Sequence, residues 1–576
     1  MAPPASPAPV RIGNASGFYG DRFSAMREML EGGPLDVLTG DYLAELTMLI
    51  LGRDRMKDPA AGYAKSFYRQ MKDCLAMAVA KKVRIVVNAG GLNPAGLASA
   101  LRKLASESGI TARIAHVEGD DLIARAASLG LGTPLTANAY LGAWGIAECL
   151  RAGADVVVTG RVTDASLVVG AAAAHFDWKR DNWDALAGAV VAGHVLECGA
   201  QATGGNFAFF TEIDLARPGF PIAEIEADGS CVITKHGGTG GAVTVDTVVA
   251  QLVYEITGAR YAGPDVTTRF DGIELAADGP DRVRIHGSRG EPPPPTLKVC
   301  LNHLGGFRND VTFVLVGLDI EAKARLVREQ LESALERKPT ELVWRLLRTD
   351  REDSDEEARA SALLRVVAKD RDSSVVGRAF SAAAVELALS SYPGFTVTAP
   401  PGDGSPYGVY TAAFVDAAEI QHVAVLPDET RVVIPRSTET LALEAVAPAA
   451  ADAKPSPVEE TVRAPLGRVV GARSGDKGGT ANIGVWARSD AAFRWLASTL
   501  DVDALRALLP ETASFPVERH LFPKIRAMNF VIDGLLEEGV ASSTRFDPQG
   551  KALGEWLRSR HVAIPRSLLP STSTST

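Results

Sequence analysis

Two short segments of the chain concentrate side chains that can do chemistry. In HVLECGAQATGGNF, His194 and Glu197 lie three residues apart on a predicted helix, so they can share one face. In KHGGTGGAVT, Lys235 and His236 precede four glycines within five residues. Glycine lets backbone amides come close to a ligand, and a basic pair beside such amides suits an oxyanion or a phosphate. We therefore predict His236 as the general acid or base, Lys235 and Glu197 as further catalytic residues, and Thr239 as a binding residue.

The pair formed by His194 and Glu197 also has an ordinary interpretation, as core or surface residues without a ligand. No third ligand is evident beside them, so the sequence predicts no metal site. The five cysteines stand at wide spacings without a CxxC pair. This spacing argues against both a zinc site and a disulfide framework, and it fits a reducing compartment.

A third segment, TGRVTDASL, places Arg161 and Asp164 three residues apart where a predicted helix begins. An arginine gains nothing from the helix dipole at that end, so its presence favours a carboxylate or phosphate ligand held by the planar guanidinium. Asp164 would then orient Arg161 or exchange a proton with the substrate. The alternative is that Asp164 only caps the helix.

Glycine-rich turns early in the chain supply further binding candidates. GNASGFYGDR follows a predicted strand, and its glycines are spaced GxxxGxxG instead of the dinucleotide pattern GxGxxG. The turn either packs its helix tightly against the sheet or binds an anion through backbone amides. For the second case the predicted binding residues are Gly17, Asp21 and Arg22, joined by Asn88 and Asn93 of the later segment NAGGLNP.

Two later loops offer a similar choice. SYPGFTVTAPPGDGSPYGVY, with Tyr407 and Tyr410 near its end, is either a rigid connection or a loop that closes over a ligand. ARSGDKGGTANIG is either the tip of a long hairpin or an anion-binding nest. On the second interpretation of each loop, Tyr407, Asp476 and Lys477 contact the substrate.

The elements that must position these residues repeat one pattern, a short apolar strand followed by a polar turn and a helix. Five such units indicate an α/β fold with a mostly parallel, Rossmann-like sheet covered by helices. Ligands bind at the carboxyl ends of the strands in such sheets, so we expect the polar turns, with Asn14, Asp41 and Glu45, to meet in one crevice. The predicted strands are residues 10–12, 36–38, 83–87, 112–116 and 155–158.

Changes of composition divide the chain further. Long strands of mixed polarity with two helices follow the α/β part, and AVAPAAADAKPSPVEE indicates a linker before a small α+β module. The Ser/Thr-rich end is expected to be disordered. The predicted domains are an α/β domain at 10–258, an α+β domain at 259–444, a linker at 445–465, a small α+β domain at 466–565 and a tail at 566–576.

Charge and hydropathy exclude several classes of function. With 70 acidic and 60 basic residues, the formal net charge is −10. An acidic chain offers no general attraction to nucleic acid or to an anionic membrane. The sequence has no uncharged run of about 18 residues that could span a bilayer, and its first ten residues lack the features of a signal peptide. We expect a cytoplasmic protein that binds neither nucleic acid nor membrane.

Taken together, the motifs resemble those of the acyclic terpene utilisation protein AtuA family. The resemblance extends from residue 10 to about residue 446 for the main domain, and over 466–565 for an appended ferredoxin-fold domain. It rests on motifs in order along the chain: GFYGDR, GDYLAELTM, NAGGLNP, TGRVTDASL, LECGAQATGGNF, KHGGTGG, SYPGF, GSPYGVY and ARSGDKGGTANIGVWAR.

The resemblance implies a role in degrading citronellol, geraniol or related branched acids as coenzyme A thioesters. Coenzyme A would then be part of a small-molecule substrate, and no separate cofactor is assigned. We expect hydration, dehydration or carbon–carbon cleavage of the acyl-CoA, carried out by a homo-oligomer. The alternatives are a non-catalytic accessory subunit of an acyl-CoA carboxylase pathway and a nicotinamide-dependent oxidoreductase.

Overall fold

Residues 7–444 and 459–569 are described by a computed structural model, which divides into two compact units. The first unit takes in residues up to Asn302, Tyr410–Val540 and the residues from Gln549 onward. The second consists of His303–Val409 and Ala541–Pro548. Most of the predicted linker, residues 445–458, and the predicted tail from residue 570 lie outside the described residues.

The strands are numbered in chain order. The first thirteen are β1 (Val10–Asn14), β2 (Val37–Gly40), β3 (Arg84–Val87), β4 (Ile114–Glu118), β5 (Thr136–Ala139), β6 (Val156–Thr159), β7 (Pro221–Ile225), β8 (Cys231–Lys235), β9 (Arg260–Ala262), β10 (Thr267–Arg269), β11 (Glu274–Ala277), β12 (Val283–His286) and β13 (Arg289–Glu291). The next seven are β14 (Thr296–Val316), β15 (Glu341–Leu347), β16 (Ser361–Asp370), β17 (Thr396–Val397), β18 (Ser405–Asp416), β19 (Val423–Val425) and β20 (Arg431–Val433). The last six are β21 (Thr461–Pro465), β22 (Val470–Lys477), β23 (Thr480–Ala487), β24 (Val517–Phe522), β25 (Ala527–Ile532) and β26 (His561–Pro565).

The helices are numbered in the same way. The first eight are α1 (Ala25–Gly32), α2 (Glu45–Lys57), α3 (Lys65–Lys81), α4 (Pro94–Glu107), α5 (Trp144–Arg151), α6 (Ser166–His175), α7 (Trp183–Leu196) and α8 (Val245–Leu252). The others are α9 (Ile320–Ala334), α10 (Ser373–Val376), α11 (Arg378–Glu386), α12 (Asp490–Thr499), α13 (Val502–Leu508) and α14 (Leu553–Ser559). None of the helices in the described ranges is long and apolar enough to cross a bilayer.

The main sheet of the first unit has eleven strands in the order β11-β12-β8-β7-β1-β2-β3-β6-β4-β19-β20. Its centre, β1, β2, β3, β6 and β4, is parallel. Each flanking strand runs antiparallel to its neighbour. The expectation of a mostly parallel, Rossmann-like sheet was therefore wrong, and the sheet is mixed. The outer strands are joined in pairs by short turns, which connect antiparallel strands but cannot hold a crossover helix.

Helices cover both faces of this sheet. Along β6, Val156 and Val158 pack with α1, α3 and α4, whereas Val157 faces α5 to α8 on the other side. Successive side chains of a strand point to opposite faces, so a strand covered on both faces is apolar at nearly every position. This double covering explains the apolar runs that mark the five central strands in the sequence.

Helix α7 is apolar on all sides and is buried from Ala185 to Leu196. A helix of this kind belongs inside a core. It approaches α6 closely, because a side chain on Gly193 would come within 2.8 Å of the Cα atom of Ala165. The close approach sets the end of α7, which carries His194 and Glu197, beside the turn that precedes α6.

Within the described residues there are four smaller sheets, of which β13-β10-β9 and β21-β26 have the fewest strands. In the second unit, the later part of β14 lies between β16 and β17, with β15 beyond β16, and α9 and α11 contribute to its core. The ferredoxin-like domain has an antiparallel sheet in the order β22-β23-β25-β24, packed against α12 to α14. Strands β22 and β23 run through the whole predicted loop up to a tight turn at Gly478 and Gly479.

Candidate active site

Arg161 lies directly after β6 at the carboxyl end of the parallel strands, and its side chain is only 3% exposed. Its Nη1 donates a hydrogen bond to the carbonyl of Leu43 at 2.9 Å and lies 3.0 Å from Oδ1 of Asp164. The guanidinium carbon is 4.3 Å from the centre of the Tyr140 ring. Its Nε has no hydrogen-bond partner within the described part of the chain. A buried guanidinium with an unused donor is suited to hold a negative charge.

Asp164 is the acidic partner of Arg161, and solvent reaches its side chain, which is 30% exposed. We call the surroundings of this side chain the recess. Burial raises its pKa to about 6, and Glu197 and Glu45 add to the rise while Arg161 and Lys477 oppose it. A carboxyl group with this pKa exchanges protons readily near neutral pH. Asp164 is therefore well suited to act as a general acid or base.

Carboxylates and amides behind Arg161 hold this arrangement in place. Burial raises the pKa of Asp120 to about 7, and this carboxylate accepts the backbone N–H of Arg161 at 2.8 Å and the amide of Asn138 at 2.8 Å. Asn88 donates to Asp41 and accepts the backbone N–H of Tyr42. Burial and the charge of Asp164 raise the pKa of Asp41 well above its usual value.

On the next side of the recess, Tyr140 directly after β5 and Tyr410 of β18 lie around Lys298 of β14. The backbone N–H of Tyr140 donates to the carbonyl of Lys298, and Lys298 Nζ lies 4.9 Å from the Tyr140 ring centre and 5.6 Å from that of Tyr410. The Tyr140 hydroxyl donates to Glu45 at 3.3 Å. Burial alone would raise the pKa of Glu45, but Lys298, Arg161 and Lys477 hold it below its usual value.

The ferredoxin-like domain contributes the end of β22. Lys477 Nζ donates to the carbonyl of Glu255 at 2.9 Å and lies 5.1 Å from the Tyr261 ring centre. Burial and the charge of Glu255 raise the pKa of Asp476 to about 7, against the effect of Lys551. Because the charge of Lys477 acts on both Asp164 and Glu45, the hairpin takes part in the electrostatics of the recess.

We call the residues Arg161, Asp164, Asp41, Glu45, Lys298, Tyr140, Tyr410 and Lys477 the Arg161 cluster. It joins predicted residues from distant parts of the sequence, namely Asp41, Glu45, Arg161, Asp164 and Lys477. Glu197 is nearby: its carboxylate lies 3.0 Å from Nδ1 of His194, whose ring packs against Tyr261 and Phe270. Within the described residues, no group of three or more His, Cys, Asp or Glu side chains could hold a metal ion.

The glycine loop, residues 235–241, forms a separate polar network. Lys235 Nζ lies 3.0 Å from Asp281 and donates to the carbonyl of Thr239, whose hydroxyl donates to the carbonyl of His236. Nε2 of His236 contacts the carbonyl of Met29 at 3.0 Å, and its ring packs against α1. Burial lowers the pKa of His236, and the charges that act on it are those of Arg11 and Lys81. The structure thus places His236, Lys235 and Thr239 apart from Asp164.

Comparison with protein families agrees with the motifs. The chain matches the acyclic terpene utilisation family protein AtuA over residues 10–426 and the AtuA ferredoxin-like domain over residues 464–563. The chain belongs to the AtuA family. Membership in this family implies a part in acyclic terpene utilisation. A search of curated proteins gave no match.

In this AtuA chain, the early glycine-rich turn is filled by its own side chain. Asp21 accepts the backbone N–H groups of Gly17 at 2.8 Å and Arg22 at 2.7 Å, so a carboxylate already occupies the place of an anion. The guanidinium of Arg22 donates to the carbonyl of Pro218. This pattern fits the tight-turn interpretation.

Two other predicted binding residues have structural partners of their own. Asn93 caps α4, accepting the backbone N–H of Gly96 at 2.9 Å. Tyr407 belongs to the second unit, where Lys369 Nζ lies 5.3 Å from its ring centre.

Sequence reasoning missed Lys298 and Tyr140. Lys298 lies among apolar neighbours in the strand sequence TLKVC, and a lysine inside an otherwise apolar strand is the only local signal. Tyr140 has no signal of this kind, because its position depends on the pairing of β5 with β14.

Proposed function

We propose that this AtuA protein is an enzyme that acts on a branched acyl-CoA thioester by acid and base catalysis. The reaction is hydration, dehydration or carbon–carbon cleavage next to the thioester carbonyl. One observation carries the proposal: Asp164, a solvent-reached carboxyl with a pKa of about 6, is paired with the buried Arg161 at the carboxyl ends of the parallel strands. A perturbed pKa in a recess is typical of catalytic carboxyls.

In this mechanism Asp164 removes a proton next to the thioester carbonyl, or returns one. The negative charge that develops on the carbonyl oxygen needs fixed positive partners in a place where water is scarce. Arg161, Lys298 and Lys477 supply that field, since each acts electrostatically on Glu45. The acidic net charge of the chain does not prevent this, because only the local field acts on the reacting atoms.

The branched acyl chain requires an apolar surface beside these charges. A small apolar cluster borders the charged residues and includes both aromatic rings of the recess. Its members are Leu43, Met48, Leu51, Leu92, Tyr140 and Cys300, with Tyr410 packed against them. Tyr410 is the partly exposed residue of this group, so its ring would be the one to contact a branched hydrocarbon chain.

The proposal is tested by assaying turnover of branched and terpenoyl-CoA thioesters with wild type, Asp164→Asn and the matched control Asp503→Asn. Asp503 is 93% exposed on α13, so it controls for the loss of one carboxylate. We expect Asp164→Asn to lower kcat/KM by about 10²- to 10⁴-fold, and Asp503→Asn to behave as wild type.

A third variant, His236→Gln, separates the two candidate sites. If His236→Gln abolishes turnover while Asp164→Asn retains it, the glycine loop is the active site and the proposal is wrong. Lack of turnover of every thioester by wild type, together with co-purification with an acyl-CoA carboxylase, would favour the accessory-subunit alternative. Saturable binding of NAD(H) or NADP(H) by calorimetry would favour the oxidoreductase.

A further inference from the structure

Lys298 carries a positive charge without a counter-ion in direct contact. Within residues 7–444 and 459–569, its ammonium makes no hydrogen bond and no ion pair, and it lies near the rings of Tyr140 and Tyr410. Burial is the main cause that lowers its pKa, Lys477 and Arg161 lower it further, and the charge of Glu45 opposes them. Because Lys298 is only half-buried, its ammonium remains open to a bound anion.

Tyr410 offers a second unused donor beside this lysine. Its hydroxyl is buried and makes no hydrogen bond of acceptable geometry within the described part of the chain, although the Tyr140 hydroxyl is a polar neighbour. Burial raises its pKa, so the hydroxyl keeps its proton at neutral pH. Two donors without acceptors therefore lie on one side of the recess.

The ferredoxin-like domain fixes the position of Tyr410. Gly478, at the turn between β22 and β23, has a φ of +67°, and a side chain there would come within 2.8 Å of the Tyr410 ring. Glycine is thus required both by the backbone conformation and by the ring that rests against it. The hairpin that supplies Lys477 also holds the unused hydroxyl in place.

We propose that Lys298 and Tyr410 form the oxyanion site, binding the substrate's carbonyl oxygen and stabilising the negative charge that develops on it. This inference rests on the proposed function and adds the groups that receive the charge. As Asp164 takes the proton from carbon, the electron pair of that C–H bond forms the enolate and the carbonyl electrons move to the oxygen. The oxygen then accepts hydrogen bonds from the Lys298 ammonium and the Tyr410 hydroxyl. In dehydration, return of the electron pair restores the carbonyl and breaks the bond between the β-carbon and its hydroxyl group, which leaves as water with the proton held by Asp164. Hydration is the reverse and consumes one water.

The test compares Lys298→Met, Tyr410→Phe, Asp164→Asn and the matched control Lys103→Met. Lys103 is 76% exposed on α4. Methionine retains most of the apolar length of lysine, and phenylalanine retains the tyrosine ring. We expect Lys298→Met, which removes one oxyanion donor, to lower kcat about 10²-fold or more. Tyr410→Phe should lower kcat by a smaller factor. Urea unfolding of each variant checks that it is folded.

A second measurement is independent of turnover. Calorimetry with 3-methylbutanoate, a short branched carboxylate, probes the same donors with a ground-state anion. We expect Lys298→Met to weaken its binding at least tenfold, and Asp164→Asn to leave it unchanged or tighter because a repelling charge is gone. Lys103→Met should bind as wild type.

The outcomes separate the two proposals. If folded Lys298→Met keeps wild-type kcat and wild-type binding of 3-methylbutanoate, the oxyanion site is wrong even where Asp164→Asn is inactive. If no thioester is turned over but 3-methylbutanoate binding depends on Lys298, the proposed reaction fails and the anion-binding assignment is supported. Loss of turnover in Lys298→Met through a raised KM with unchanged kcat would also overturn the oxyanion role.

Discussion

The Arg161 cluster and the glycine loop both combine basic side chains with glycine-rich turns, yet they differ in how their polar atoms are used. In the glycine loop, Lys235 pairs with Asp281 and donates to a backbone carbonyl, and the His236 ring contacts another backbone carbonyl. In the Arg161 cluster, Arg161 Nε and the Tyr410 hydroxyl have no acceptor within the described residues, and solvent reaches Asp164. Residue types alone mark both regions as candidates for chemistry. The Arg161 cluster keeps hydrogen-bond donors unused, and for this reason we propose it as the ligand-binding site.

The largest expected difference concerns stability. Arg161→Met leaves buried carboxylates without their counter-ion, which should lower the free energy of unfolding by about 3–5 kcal/mol. Lys235→Met should cost about 1–2 kcal/mol, because its partner Asp281 is 41% exposed and stays solvated. Urea unfolding of both variants measures the difference. Equal losses would show that the two regions are equally dependent on their cations.

The second prediction concerns the pH dependence of activity. If ionised Asp164 is the base, kcat/KM should rise with pH through about 6 and fall about tenfold per pH unit below that value. Asp164→Asn should have a low residual rate that lacks this rise of kcat/KM with pH, and His236→Gln should keep the rise. If Asp164→Asn showed the same rise as wild type, the titration would belong to another group.

Much of the fold could be predicted from the sequence, because its main signals are local. The Val-rich runs of β3 and β6 mark strands covered on both faces, and the five central strands were confirmed in position and direction. The expectation of a mostly parallel sheet failed at the outer strands, which were not predicted individually. Strands joined by a hairpin are antiparallel, and no local pattern shows that these hairpins extend the same sheet.

The site was less predictable for the same reason. Arg161 and Asp164 are neighbours in the sequence, so their pairing could be anticipated. Lys298 meets Tyr140 only through the register of β5 with β14, and meets Tyr410 only through a hairpin of another domain. For His236 the local pattern gave no sign that its ring would pack against Gly32 and Gly33 at the end of α1.

The third prediction uses opposite signs of pH-dependent stability. The pKa of Asp476 is about 7 in the folded protein and near 3.8 when unfolded, so the folded state binds more protons between these values. Stability therefore falls as pH rises through this range, by about 1.4 kcal/mol per unit. The pKa of His236 is lowered from 6.5, so stability falls as pH drops below 6.5. Asp476→Asn should remove the first slope and His236→Gln the second, as followed by urea unfolding from pH 4 to 8. Slopes that survive these substitutions would belong to other groups.

The smallest effects should come from glycine substitutions in the two regions. Gly478→Ala forces alanine into a φ of +67° and against the Tyr410 ring, which should cost about 1 kcal/mol or more of stability. Gly237→Ala meets no atom within 4 Å and has no positive φ, so it should be neutral or stabilising by about 0.4 kcal/mol. Thermal unfolding checks both, and turnover adds a sharper contrast: only Gly478→Ala displaces Tyr410, so only this variant should lower kcat. If Gly237→Ala were the damaging change, the conformation of the glycine loop would matter for function after all, and the distinction between the two regions would fail.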